Sequence, residues 1–304
     1  MATGKADNSF LESSKVFDVS HVTAVVTGGG SGIGLMMTQA LIANGAKIYI
    51  IDRRESALKT VVDLYDTGPG KVIPQVILTA DISEKVSVQQ LAKTIATSEP
   101  NGIQLLVNNA GITRDNATRF DRAGEPDLSD PLSISTHFMK SEPEHWAEAF
   151  QTNCTGGFFM SIAFLPLLAK GHGVTPGYTS SIINTCSNSA LLKHTTHGHV
   201  SYAASKAAFL HLSRMLSTTF AQTGVRVNML APGIFPTEMT AGASGADQKS
   251  KLEKMAMPNV AGRPGHETDM AATILLLAGR SGSYYYNQIL YPDGGEMLSQ
   301  PTTM

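Results

Sequence analysis

Cysteine is almost absent. Two residues, Cys154 and Cys186, occur in a chain of 304, too few for a disulfide framework, so a reducing compartment is the default expectation. Excess charge is missing as well: 23 Lys plus Arg against 25 Asp plus Glu leave a formal net charge of −2. Without a basic stripe or a polybasic run, neither nucleic acid nor an anionic membrane is an expected partner. Apolar runs stay short. Stretches such as AATILLLAG at residues 271–279 fall well below the roughly 20 residues that span a bilayer. The first twenty residues are polar and lack the apolar stretch of a secretory leader, which makes the cytoplasm the expected location. His194, His197 and His199 crowd one segment with no carboxylate or thiolate beside them, so no metal is expected there.

What is present is a regular alternation of strand-like and helix-like segments. VTAVVTG at residues 22–28 is a continuous apolar run ending in glycine, as a strand buried on both faces should be. Further strands are expected at residues 47–52, 72–81, 103–111, 180–187, 226–233 and 287–295. Helical spacing occupies residues 33–44, 86–98, 146–169, 201–221 and 269–278. The pattern predicts an α/β chain with a doubly wound Rossmann fold, a seven-stranded parallel sheet flanked by helices. Two stretches break the rhythm. Residues 113–142, rich in Asp, Arg, Ser and Pro, read as an insertion after strand four. Residues 235–264 carry Met239, Met255 and Met257 among small residues and suit a substrate loop with an adaptable apolar wall.

The glycine-rich segment TGGGSGIG, residues 27–34, follows the first strand and opens a helix. Gly28, Gly32 and Gly34 allow a tight turn and close backbone approach, with Ser31 and Ile33 between them. That context suits a pyrophosphate at a helix N-terminus. Asp52 ends strand two, eighteen residues beyond Gly34, near the offset at which an acid binds the adenosine ribose. Its carboxylate repels a 2′-phosphate, whereas Arg53 and Arg54 stand where they would grip one. The carboxylate is the more direct discriminator, so NAD(H) is slightly favoured over NADP(H). Arg54 itself reads better as a solvated charge at a helix start. In NNAG, Ala110 and Gly111 permit the backbone near a cofactor, Asn109 ties strand four to its neighbour, and Asn108 reads as structural.

Tyr202 and Lys206 stand four apart in VSYAASKAAFLHL, on one helical face. The ammonium is expected to draw the phenol pKa down, as a proton-donating tyrosine needs. Ser187 closes strand five, where its hydroxyl can polarise a substrate oxygen.

Together TGGGSGIG, NNAG, Asn153, Ser187, the Tyr202/Lys206 pair and PGIFPT at residues 232–237 make the chain resemble the short-chain dehydrogenase/reductase family. The resemblance runs from about residue 22 to residue 295. Within the family the chain is most similar to microbial, often fungal, 3-oxoacyl-carrier-protein reductase-like proteins. It implies a single dinucleotide-binding catalytic domain over residues 22–304, preceded by an N-terminal extension at residues 1–21. It also implies that Asp81 accepts from the adenine amino group with Ile82 beside the ring, although Asp81 equally suits a helix cap. Pro232, Gly233 and Phe235 are implied to meet the nicotinamide carboxamide, and Thr237 to bind its amide. Lys206 is implied to hydrogen-bond the nicotinamide ribose, and Asn153 to kink the long helix and relay through water. The family's serine usually precedes its tyrosine by about thirteen residues, the spacing of Ser189; Ser187 precedes by fifteen but has the motif context. The implied activity is hydride transfer between a nicotinamide cofactor and a secondary alcohol or ketone. Rival readings are a nicotinamide-binding sensor or scaffold without turnover, and an isomerase or lyase on the same fold. A homo-oligomer, tetramer or dimer, is implied by the family alone.

Overall fold

The computed structural model describes residues 6–74, 81–120, 126–252, 257 and 259–303. Short helix α1 (Ser13–Val16) precedes strand β1 (Thr23–Thr27), α2 (Gly32–Ala43), β2 (Lys47–Ile51) and α3 (Glu55–Tyr65). Then come β3 (Lys71–Pro74), α4 (Lys85–Ser98), β4 (Leu105–Asn108), α5 (Pro131–Phe138), α6 (Pro143–Phe150) and α7 (Gly157–His172). The chain continues through β5 (Ser181–Thr185), α8 (Val200–Phe220), β6 (Arg226–Leu230), α9 (Glu238–Ala241), α10 (Glu267–Ala278), β7 (Ile289–Leu290) and α11 (Glu296–Ser299).

All seven strands run parallel in the order β3-β2-β1-β4-β5-β6-β7. The order reverses between β1 and β4, so their carboxyl ends diverge into a crevice at that switch point. Core residues fill both faces of the sheet. Leu35, Met37, Leu41, Met270, Ile274 and Leu277 belong to the cluster on one face; Val88, Leu91, Ile95, Met160, Phe164 and Phe220 belong to that on the other. Alternate residues of β1 supply both: Ala24 and Val26 join the first cluster, Val25 the second. That two-sided burial explains why the strand reads as unbroken apolar sequence.

Several sequence expectations change here. Helix α3, anticipated only as a helix start at Arg54, buries Ala57, Leu58 and Val61. The stretch 113–142 contains regular structure: a 3-10 turn at Asp115–Thr118 and α5, whose Asp130 caps the amides of Leu132 and Ser133 ahead of a proline at the first helical position. The long helix is interrupted by a π turn at Gln151–Gly156, an extra residue that a 3.6 period does not reveal. The continuous span Pro143–His172 is long and apolar enough to cross a membrane by length and composition, contrary to the reading that every apolar stretch is too short. Its apolar residues Met160, Phe164, Leu167 and Leu168 are instead buried in the core against the sheet. The last strand shrinks from residues 287–295 to Ile289–Leu290. Residues 75–80 of the expected third strand, and Met255 of the expected substrate loop, lie outside the described residues.

Candidate active site

The glycine-rich turn owes its shape to what side chains would strike. Gly28 and Gly32 adopt φ of +66° and +52°, and a Cβ on Gly34 would lie 2.0 Å from the Gly28 carbonyl. The turn therefore presses against its own helix, whose first residues Gly32 and Ile33 border the cleft. Ser31, the N-cap of α2, makes no side-chain hydrogen bond to those amides. A helix N-terminus without an internal cap is a ready site for an anion. Across the switch point, Asn109 donates from its side chain to the Thr27 carbonyl (3.1 Å) and from its backbone to Thr27 Oγ1 (2.9 Å). These bonds tie β4 to β1 and set Ala110 and Gly111 along the cleft wall.

The far end of this cleft is dense with charge. Asp52 accepts from the Arg54 backbone (3.0 Å), and its carboxylate would lie 2.8 Å from a Cβ on Gly30. The Arg54 side chain spans the mouth, donating to Glu238 (2.7 and 3.0 Å) and Ser31 Oγ (2.9 Å). Arg53 approaches Asp81 at 3.5 Å. Asp81 also accepts from the Ser83 amide and hydroxyl; these bonds and Arg53 hold its carboxyl below the usual range, against burial, the largest single influence, which raises it. Arg54 does stand at a helix start, as N-cap of α3 with a half-exposed side chain, but it is also tied to Asp52, Glu238 and Ser31. Its partner Glu238 lies 184 residues away, so no local pattern announces the pair.

At the other end stands the chemical group. The phenol of Tyr202, the Ser187 hydroxyl and the Lys206 chain border one cleft of about 420 Å³. Lys206 is 3% exposed and donates to the Thr185 carbonyl at 2.8 Å. Its ammonium lies 5.9 Å from the centre of the Tyr202 ring. Burial pushes Lys206 down to about 8. Burial likewise pushes the Tyr202 phenol above its usual value, and hydrogen bonding with Ser187 works against that rise. The sequence expectation that the lysine draws the phenol down is corrected: desolvation of a would-be phenolate dominates.

Asn153 sits in the π turn, 2% exposed. Its side chain accepts from the Ile112 amide (2.8 Å) and donates to the Ile112 carbonyl and Ser205 Oγ (both 2.9 Å). It thereby joins the long helix, the strand-four exit and the residue before Lys206. A Cβ on Gly111 would meet Asn153 Oδ1 at 3.1 Å and Lys206 Nζ at 3.2 Å, which accounts for glycine there. Asn108 is buried among Asn184, Ser161 and Gly157.

The cleft wall takes in Gly28, Ser31, Gly32, Ile33, Asp52, Arg53, Asp81, Ile82, Asn109, Ala110, Gly111, Ser187, Tyr202, Lys206, Pro232, Gly233, Phe235 and Thr237. Gly34 and Asn153, among the residues singled out from sequence, support the wall from behind. Ser189 is off the wall and donates its amide to Ser187 Oγ at 3.2 Å. Thr237 caps α9 in a reciprocal bond with Thr240, and its methyl would lie 3.1 Å from a Cβ on Gly32, so the loop after β6 touches the glycine turn. Met239, expected in an apolar wall, lies in it, whereas Thr152, Thr185, Glu238 and Thr240 were not singled out from sequence. Thr185 contributes through its backbone carbonyl, which no residue pattern encodes. Among the described residues no cluster of three His, Cys, Asp or Glu side chains could hold a metal ion. His194 accepts from Thr196 N, and His199 shares a hydrogen bond with Thr113 Oγ1 at 3.1 Å.

A doubly wound sheet with a bare helix N-terminus at its switch point, and a Tyr–Lys–Ser group at the opposite end of one cleft, defines a nucleotide-dependent oxidoreductase architecture. The uncapped α2 amides, the glycines where a Cβ would collide and the acid at the β2 terminus suit a nicotinamide dinucleotide. Residues 22–248 match the short chain dehydrogenase family, and the chain belongs to it. The short-chain dehydrogenase/reductase PhomF′ of Diaporthe leptostromiformis is 35% identical over 294 residues, covering 96% of this chain and 97% of that protein. The 3-oxoacyl-[acyl-carrier-protein] reductase FabG of Vibrio cholerae is 29% identical, covering 90% and 96%. Among solved structures, the Pseudomonas aeruginosa RhlG/NADP active-site complex has a TM-score of 0.74 at 29% identity, covering 92% of this chain and 98% of that one.

Proposed function

We propose that the protein is a carbonyl reductase in which Tyr202 protonates the oxygen of a ketone held by Ser187. The observation that carries this reading is the shared cleft wall: Tyr202, Ser187 and Lys206 lie together beside the glycine turn. Burial alone makes the phenol a weaker acid, so donation relies on Ser187 and the Lys206 ammonium to steady the phenolate that forms. Ser187 Oγ hydrogen-bonds the substrate oxygen and steadies its developing charge. Lys206, still largely cationic at pH 7, replenishes the proton on Tyr202 and hydrogen-bonds the cofactor ribose. Asn153 keeps the segment carrying Lys206 in place through Ser205. When bound, the nicotinamide cofactor supplies the hydride that reaches the carbonyl carbon.

The cofactor reading is NAD(H) ahead of NADP(H). Both arginines at the adenosine end are engaged by carboxylates, and Asp52 adds a charge that opposes a 2′-phosphate. The substrate class is a small ketone or its secondary alcohol; Met239 on the wall supplies apolar contact. The test is oxidation of NADH and NADPH over a small ketone panel, with Tyr202→Phe alongside. Turnover is expected to fall at least about 1,000-fold in the variant, with NADH binding retained. Full turnover in Tyr202→Phe would refute the mechanism, and cofactor binding without turnover on any carbonyl would favour the sensor reading.

A further inference from the structure

Helix α8, which carries both Tyr202 and Lys206, begins without a cap of its own. Its N-cap residue, His199, makes no side-chain hydrogen bond to the first turn, and that ring is engaged with Thr113. The amides a cap would satisfy are those of the second and third helical residues, here Ser201 and Tyr202. Both are satisfied from elsewhere. Asp115, in the 3-10 turn after β4, accepts from Ser201 N through Oδ1 at 3.2 Å and from Tyr202 N through Oδ2 at 3.0 Å. Its side chain is buried, with the residue 4% exposed.

The carboxylate is held as firmly as it holds. Thr118 Oγ1 donates to the Gly198 carbonyl at 2.9 Å, and Phe120 N to the His197 carbonyl at 3.0 Å. Gly198 has φ +85°, and a Cβ there would lie 1.8 Å from the Thr118 carbonyl. The turn and the histidine loop are therefore locked edge to edge, and Asp115 is delivered onto the helix axis. A buried anion at a helix N-terminus is stabilised by the aligned peptide dipoles. Because one of its two bonds ends on the backbone of Tyr202, it fixes where the phenol sits along the cleft relative to Ser187.

We propose that Asp115 is a positioning residue for the reaction, acting as a cap supplied in trans that sets the reach of Tyr202. This rests on the reading of Tyr202 as the acid. Displacement of a reacting group by about 1 Å costs about 100-fold in rate, so that is the scale expected when the cap is removed.

The experiment compares Asp115→Ala, Asp115→Asn and Thr118→Val in the full chain, measuring kcat and KM for a ketone, NADH affinity by nucleotide fluorescence, and Tm. Asp115→Ala is expected to lower kcat about 100-fold with NADH affinity within about twofold. Asp115→Asn, which keeps one acceptor, is expected to lose only about tenfold. Thr118→Val removes one hydroxyl bond of the neighbouring lock, whose Phe120–His197 backbone bond and Gly198 packing remain; it is expected to lower Tm and keep kcat within about threefold. Unchanged kcat in Asp115→Ala, or kcat losses that follow Tm alike in Asp115→Ala and Thr118→Val, would overturn the proposal. Should Asp115→Ala not fold, Asp115→Asn decides: a tenfold lower kcat at unaltered NADH affinity supports the cap, and unaltered kcat refutes it. Survival of activity in Tyr202→Phe would instead defeat the underlying reading, so the two failures are told apart.

Discussion

Replacing Lys206 with methionine should make the cofactor-free protein more stable while destroying its activity. The side chain is buried and its pKa falls from 10.5 to about 8. At about 1.4 kcal/mol per pH unit, keeping the ammonium in the folded core costs about 3 kcal/mol at neutral pH. Methionine has a similar length and removes that cost, but it also loses the hydrogen bond to the Thr185 carbonyl, worth about 1–2 kcal/mol. A net gain of about 1–2 kcal/mol at pH 7 follows. A base whose folded pKa lies below its unfolded value binds fewer protons folded than unfolded, so wild-type stability rises as pH climbs from about 8 toward 10.5. The methionine variant lacks that rise. Its advantage should therefore shrink by about 1 kcal/mol between pH 7 and pH 9. Urea unfolding of both proteins at the two pH values measures the difference and cancels every other titration. A gap independent of pH, or a variant several kcal/mol less stable at pH 7, would show that burial is not what perturbs this lysine. Such a trade of stability for function is common at sites built for chemistry.

Two further outcomes test the site. Ser187→Ala should lower kcat about 100-fold, the scale for loss of one donor to a developing oxyanion, while Ser189→Ala stays within about threefold of wild type; the reverse ranking would assign the role to the thirteen-residue spacing. Glu238→Gln should release Arg54 from its carboxylate partner and shift relative affinity toward NADPH about fivefold, the scale of a half-exposed ion pair. Equilibrium binding of the two reduced cofactors reads this directly, and equal weakening of both would make Glu238 a clasp on the loop with no part in selectivity.

Legibility from sequence followed the range of the interaction. The glycine turn, NNAG and the Tyr202/Lys206 pair were visible because each is a local device, with spacing and backbone demands written in a few adjacent residues. Asn109 reads from sequence as a tie from strand four to its neighbour and Asn108 as structural; both bond to adjacent elements, since a polar residue closing a buried strand needs partners. Helix α5 escaped because it lies in a stretch rich in Asp, Ser and Pro, and helix α3, although its apolar residues recur at helical spacing, was marked only by its start at Arg54. The π turn was foreshadowed only through the kink implied at Asn153, because it moves that residue off the helical register that the pattern assumes.

By itself, the order of amino acids determined the parallel sheet, the position of the phosphate turn and the candidate tyrosine, because β-strand burial and helical spacing are short-range regularities. Tertiary structure alone decided that Asp115 caps a helix 86 residues further along and that Glu238 holds Arg54. It also decided that burial governs both Tyr202 and Lys206. Those facts depend on which surfaces fold against each other, and desolvation has no counterpart in a linear chain.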